Sequence, residues 1–185
     1  MPKPRALVVF HTVEGQSARV ATAIATELWS RGLDADVWDA ASAPSPDGYH
    51  GVVVGDAIRA QHHSRELRRY LREHHDALAC RPLGLFQVSL TSANEDATHT
   101  EAAQRMEADL ETEVDLHPDV VGLLAGRLAY SQYGRFTRRL MRWISRREGG
   151  DTDMTHDHEY TDWQAVEQFA HDVHKLVQAD APLTS

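Results

Sequence analysis

Hydrophobic positions recur along this chain in two alternating periods. Residues 6–10, Ala-Leu-Val-Val-Phe, form a short continuous apolar run that stops at a polar loop. A β-branched run of that length, bounded by turn residues, reads as a strand buried on both faces. From Gln16 the period lengthens: Val20, Ile24 and Leu28 fall on one helical face, and Gly32 supplies the stop after about Arg31. The same alternation then repeats. Residues 35–38 predict a short second strand, and Ser, Pro and Gly make 42–48 a loop. Residues 51–55, Gly-Val-Val-Val-Gly, predict a central third strand, and 64–77 a helix through Leu67, Tyr70 and Leu71. A fourth strand is expected over 82–90. A polar stretch over 91–100 leads into a helix ending near Glu113. Residues 120–130 read as a fifth strand, extended or continued by an insertion. The closing helix is expected over 161–178, with Trp163, Val166, Phe169, Val173 and Leu176 on one face.

Strands alternating with helices imply an α/β protein whose parallel sheet is covered on both sides. Five strands fit the flavodoxin-like order 2-1-3-4-5 in a three-layer sandwich. This predicts one domain over 1–185 with an insertion at about 131–150. In such sheets ligands lie beyond the carboxyl ends of the strands, where the strand order reverses. The loops at 11–16, 56–62 and 90–96 should therefore meet there.

Composition narrows the function. The net charge of −9 argues against nonspecific nucleic-acid binding. Lys3 and Lys175 are the only lysines. A single cysteine, Cys80, excludes an internal disulfide and a multi-thiolate zinc site, and is expected as a small buried residue near a strand start. No apolar run is long enough to span a bilayer, and the N-terminus leads straight into the first strand with no signal peptide; the expected location is cytoplasmic. The twelve histidines lack the spacing of a metal site, so they are expected at the surface and no metal is predicted.

The first loop, Thr12-Val13-Glu14-Gly15-Gln16-Ser17, is the main candidate for chemistry. A strand feeding a loop that opens a helix gathers backbone N–H groups and the positive end of the helix dipole at one spot. Thr12 and Ser17 add hydroxyls, and Gly15 permits a tight turn. The loop holds no lysine or arginine, so a monophosphate suits it better than a triphosphate. After strand three, Ala57, Ile58, Arg59 and Ala60 offer small and apolar surface for a planar heterocycle such as isoalloxazine. After strand four, Ser89, Leu90, Thr91 and Ser92 offer small residues and backbone donors. No side-chain nucleophile or general base stands out, so no catalytic residue is assigned and a cofactor is expected to carry the chemistry.

Residues 133–147 form the second unusual stretch, with six arginines and no acid. On a helical wheel Phe136, Leu140, Trp143 and Ile144 share one side, while Arg135, Arg138, Arg139, Arg142 and Arg146 share the other. Such a segment on an acidic protein suits an anionic lipid surface or an anionic substrate.

Several motifs resemble one family. Thr12-Val13-Glu14-Gly15-Gln16-Ser17 is similar to its Thr-x-Asp-Gly-Gln-Thr-like run, and Gly55-Asp56-Ala57-Ile58-Arg59 with His62 to its Gly-Ala-Ser-Ile-Arg stretch followed by histidines. Ala125-Gly126-Arg127-Leu128-Ala129-Tyr130 is similar to the strand before its insertion. The tail motifs Gly149-Gly150-Asp151-Thr152-Asp153, Tyr160-Thr161-Asp162-Trp163 and Phe169-Ala170 complete the likeness. On these residues the chain resembles the bacterial flavodoxin-type protoporphyrinogen oxidases, the menaquinone-dependent protoporphyrinogen IX dehydrogenases. The resemblance implies FMN as cofactor, with its phosphate on residues 12–17 and its ring bordered by 57–60 and 89–92. It implies a tetrapyrrole substrate, electrons passed to menaquinone or ubiquinone, and peripheral contact with the inner face of the cell membrane. Arg135, Phe136, Arg138, Arg139, Arg142 and Trp143 fall in the family's insertion, associated with substrate and membrane. Two positions depart: His11 replaces a serine-like residue and Asp56 a small one. The rival readings are an FMN electron carrier and an FMN-dependent quinone reductase. Replacing Arg135, Arg138, Arg139 and Arg142 with glutamine should abolish salt-sensitive sedimentation with anionic vesicles; unchanged sedimentation would refute the membrane role.

Overall fold

A computed structural model describes residues 3–12, 15–57, 63–89, 108, 111–125, 127–128, 158–159, 161 and 163–180, with only the backbone at 89, 123, 125, 127–128 and 158–159. Five parallel strands, β1 (Arg5–His11), β2 (Asp34–Asp39), β3 (Gly51–Ala57), β4 (Leu83–Ser89) and β5 (Val120–Ala125), pair in the order β2-β1-β3-β4-β5. Helices among the described residues include α1 (Gln16–Ser30), α2 (Arg65–Glu73), α3 (His75–Ala79) and α4 (Trp163–Asp180).

Side-chain alternation sorts the strands onto two cores. Ala6, Val8, Val53, Phe86 and Leu124 meet Val20, Ile24 and Leu28 of α1 and Val166, Phe169 and Val173 of α4. Leu7, Val9, Val52, Val54 and Leu85 face the other way, onto Leu67, Tyr70 and Leu71 of α2 and Leu78 of α3. The result is the expected three-layer sandwich. Residues 51–56 are all buried, as a central parallel strand requires. Helix α1 ends as its sequence predicts: Gly32 adopts φ +92°, its N–H donates to Trp29 O, and Leu33 N–H donates to Leu28 O. This is a Schellman motif, in which the positive φ favours glycine.

Four expectations need correction. The helix over 64–77 is broken at His74, which leaves helical geometry at φ −115°; its ring packs against Tyr70 with centroids 4.6 Å apart. Strand five does not run to 130. It stops at Ala125, and Arg127–Leu128 (β6) pairs antiparallel with His158–Glu159 (β7) in a separate ribbon. Cys80 lies near the start of β4, as expected, but is exposed rather than buried, because it sits in the turn after α3. Trp163 opens α4 at the surface rather than in the core, with the Arg19 guanidinium 5.7 Å from its ring centroid.

Glycines on the sheet let aromatic rings lie flat against it. A Cβ on Gly55 would come within 2.3 Å of the Phe86 carbonyl oxygen and 2.5 Å of its ring. Gly55→Ala should therefore destabilise the fold by about 1–3 kcal/mol, read as a lowered urea midpoint.

Candidate functional site

The loop between β1 and α1 closes on itself. Thr12 Oγ1 accepts the Gly15 N–H at 2.8 Å, and Gly15 adopts φ +86° with open space where a Cβ would stand. The Arg19 N–H to Gly15 O bond opens the helix, so the amides of Ser17 and Ala18 lie ahead of the helical ladder. No acid occupies the first turn of α1, so no side chain of that turn offsets the positive end of its dipole. Ser17 is fully buried, and its hydroxyl has no hydrogen-bond partner among the described residues. An orphaned buried hydroxyl at a helix N-terminus is costly unless a ligand satisfies it. A phosphate monoester is such a ligand, and these neutral donors fit one.

Gln16 is held differently. Its side-chain amide donates to Thr161 Oγ1, just ahead of α4, while Arg19 Nη1 donates to Gln16 Oε1 at 3.4 Å. Its side chain thus anchors the loop to the closing helix, and its backbone remains part of the helix start. Thr161 belongs to the tail motif noted in the sequence, so that motif acquires a structural role in holding the first loop.

The carboxyl ends of the middle strands carry a second polar cluster. In strand register His11 pairs with Asp56, and Asp56 with Gln87. Asp56 is fully buried. Its Oδ1 accepts from His63 Nδ1 at 2.7 Å and its Oδ2 from the Ser64 N–H at 2.6 Å. His63 Nε2 lies 3.2 Å from Gln87 Nε2. His11 is half-buried, its ring nitrogens 3.6 Å from Asp39 and 3.7 Å from Glu66. The surface position expected for the histidines therefore fails at His63, which is 7% exposed. Asp56 was the available signal: a carboxylate ending an apolar central strand demands a buried donor.

Of the predicted cofactor residues, Thr12, Gly15, Gln16 and Ser17 lie together at the end of β1. Ala57 ends β3, and Ser89 ends β4. Val13, Glu14, Ile58, Arg59, Ala60, Leu90, Thr91 and Ser92 lie outside the described residues, as do Arg135, Phe136, Arg138, Arg139, Arg142 and Trp143. Among the described residues no helix is long and apolar enough to cross a membrane.

Residues 7–155 match the family model for a flavodoxin domain. The chain belongs to the flavodoxin-domain family. Relatives similar to it include protoporphyrinogen IX dehydrogenase [quinone] of Leishmania major, 32% identical over 97% of this chain and 78% of the relative. The enzyme of the same name from Escherichia coli K12 is 28% identical over 93% of this chain and 96% of its own. Among solved structures, an archaeal flavodoxin superposes with a TM-score of 0.57 at 13% identity, covering 94% of this chain and 99% of its own. That likeness supports the flavodoxin fold alone.

The orphaned hydroxyl gives this flavodoxin domain a two-sided test. Ser17→Ala removes an unsatisfied buried group, so the ligand-free protein should be as stable as the wild type or up to about 1 kcal/mol more stable. The same variant should bind FMN about tenfold more weakly, the worth of one hydrogen bond to a charged group. Urea unfolding and titration of the apoprotein against flavin fluorescence would read the two effects.

Proposed function

We propose that this protein is an FMN-dependent dehydrogenase that oxidises protoporphyrinogen IX to protoporphyrin IX and delivers the electrons to a respiratory quinone. The observation that carries this reading is the extent of the likeness to the Leishmania major enzyme. At 97% of the chain it runs beyond residue 155, where the flavodoxin-domain match ends, and takes in the closing helix. Bound FMN supplies reversible two-electron redox chemistry.

The chain's own residues bind and orient. The Gly15 turn, the Ser17 hydroxyl and the first amides of α1 would hold the phosphate through neutral donors, leaving its charge to the helix dipole. Residues 57–60 and 89–92 would border the ring at the carboxyl ends of β3 and β4. Arg135, Arg138, Arg139 and Arg142 supply cations suited to the propionates of a tetrapyrrole or to anionic headgroups. Phe136 and Trp143, on the opposite side of the helical wheel, supply apolar surface for its rings or for the bilayer. A peripheral position at the inner face of the membrane would bring substrate and quinone to the same edge of the protein. The strong negative charge on the rest of the chain also suits docking with basic redox partners, the feature that favours a simple electron carrier.

Anaerobic incubation of FMN-loaded protein with protoporphyrinogen IX and a soluble quinone separates the two. Porphyrin fluorescence should rise well above the flavin-free control. FMN uptake without any porphyrin formation would reject the dehydrogenase and leave the carrier.

A further inference from the structure

Helix α1 starts without a side-chain cap. Its N-cap is Gly15, which has no side chain to accept from the first amides. An uncapped start frays when nothing else holds it. Gln16 and Ser17, the first two residues of α1, are nonetheless only 5% and 0% exposed. The contacts that fix this turn come from far along the chain.

Two residues at the start of α4 meet two residues of the first turn of α1. The Gln16 side-chain amide donates to Thr161 Oγ1, and Arg19 Nη1 donates to Gln16 Oε1 at 3.4 Å. The Arg19 guanidinium in turn lies 5.7 Å from the centroid of the Trp163 ring. Thr161, Gln16, Arg19 and Trp163 thus form a continuous chain of contacts that leaves the start of α4 and returns to it. Gln16 and Arg19 are three residues apart and share one face of the helix. Ser17 is turned about 100° from Gln16, and its buried hydroxyl has no partner among the described residues. Further along, the same two helices share one core through Val20, Ile24, Val166 and Ala170.

We propose that Thr161 and Trp163 are positioning residues for the cofactor phosphate: acting through Gln16 and Arg19, they clasp the first turn of α1 in the orientation that presents the Ser17 hydroxyl and amide. The part concerning the phosphate rests on the FMN reading above. A turn with no cap of its own takes its order from a ligand on one side and from α4 on the other. Phosphate binding and the docking of α4 are then one linked equilibrium. By reciprocity, the factor by which loosening the clasp weakens FMN binding is the factor by which bound FMN tightens α4. The clasp itself is testable without flavin. The Arg19 N–H donates to Gly15 O, the bond that opens the helix, so its exchange with solvent reports the order of that turn.

The test compares wild type, Thr161→Val, Thr161→Ser and Trp163→Leu as full chains. Amide hydrogen exchange is followed by NMR with and without FMN, and FMN affinity by fluorescence titration. Thr161→Val keeps the side-chain shape and removes the acceptor of the Gln16 amide. Without flavin its Arg19 amide should exchange about tenfold faster, and its FMN dissociation constant should rise about tenfold. Thr161→Ser restores the hydroxyl and should bring both to within about threefold of wild type. Trp163 lies at the surface, so Trp163→Leu keeps the test open if Thr161→Val fails to fold; loss of the ring contact should shift both quantities about threefold. FMN should slow exchange of the amides of residues 166–170 about tenfold in wild type and far less in Thr161→Val. A general loss of structure would also speed exchange at Val53 in β3, and serine would not rescue it. Folded variants whose Arg19 amide exchanges no faster than wild type would overturn the clasp. Faster exchange with unchanged FMN affinity, or equal slowing of α4 by FMN in wild type and Thr161→Val, would overturn its role toward the phosphate. A wild type that ignores FMN while the variants loosen the turn would sink the flavin reading and leave the clasp standing.

Discussion

Everything at the candidate site follows from β1 being paired on both sides. The chain leaves β1 through α1 on one face of the sheet to reach β2 at its outer flank. It then crosses back to β3 on the other side of β1 and leaves along α2 on the opposite face. The connections after β1 and β3 consequently lead to helices on opposite faces of the sheet. Ligand sites arise at such reversals because backbone groups there have no sheet partner beyond them. The register then decides which side chains stand at the opening: His11 beside Asp56, and Asp56 beside Gln87.

The two polar features at this opening are stabilised in opposite ways. In the Asp56 cluster both carboxylate oxygens are met, one by the His63 imidazole and one by the Ser64 N–H, and His63 Nε2 lies against the Gln87 amide nitrogen. The Ser17 hydroxyl is buried with no partner among the described residues. Stability accounts for the first arrangement and not for the second, since an unmet buried hydroxyl costs free energy in the ligand-free fold. A site that stays unsatisfied until a phosphate arrives, set beside one that is rigid beforehand, is the division of labour expected of preorganised binding.

Local pattern carried most of the architecture into the sequence. The Gly-Val-Val-Val-Gly run marked β3 because burial on both faces leaves no polar position, and Gly32 marked the end of α1 because its positive φ has few alternatives. The phosphate loop was legible for the same reason, since a strand, a turn and a helix start are consecutive in the chain. What stayed hidden depends on partners distant in sequence. Nothing near His63 tells that Gln87, from another strand, completes its hydrogen bonding. Helical spacing through Leu67 and Leu71 runs across His74 without revealing the break, which shows only in the packing of His74 against Tyr70. Cys80 was expected in the interior because small apolar residues commonly are; the turn after α3 leaves it exposed.

The tie between Gln16 and Thr161 joins residues 145 positions apart. Synthesis delivers the first strand and the glycine turn early, but the hydroxyl that anchors Gln16 emerges much later, with α4 directly behind it. Long-range contacts of this kind are won late, after the entropy of closing the intervening chain has been met. A nascent polypeptide therefore carries its nucleotide-facing turn unfinished while the ribosome is still at work. The completed cradle is a property of the chain wound through α4.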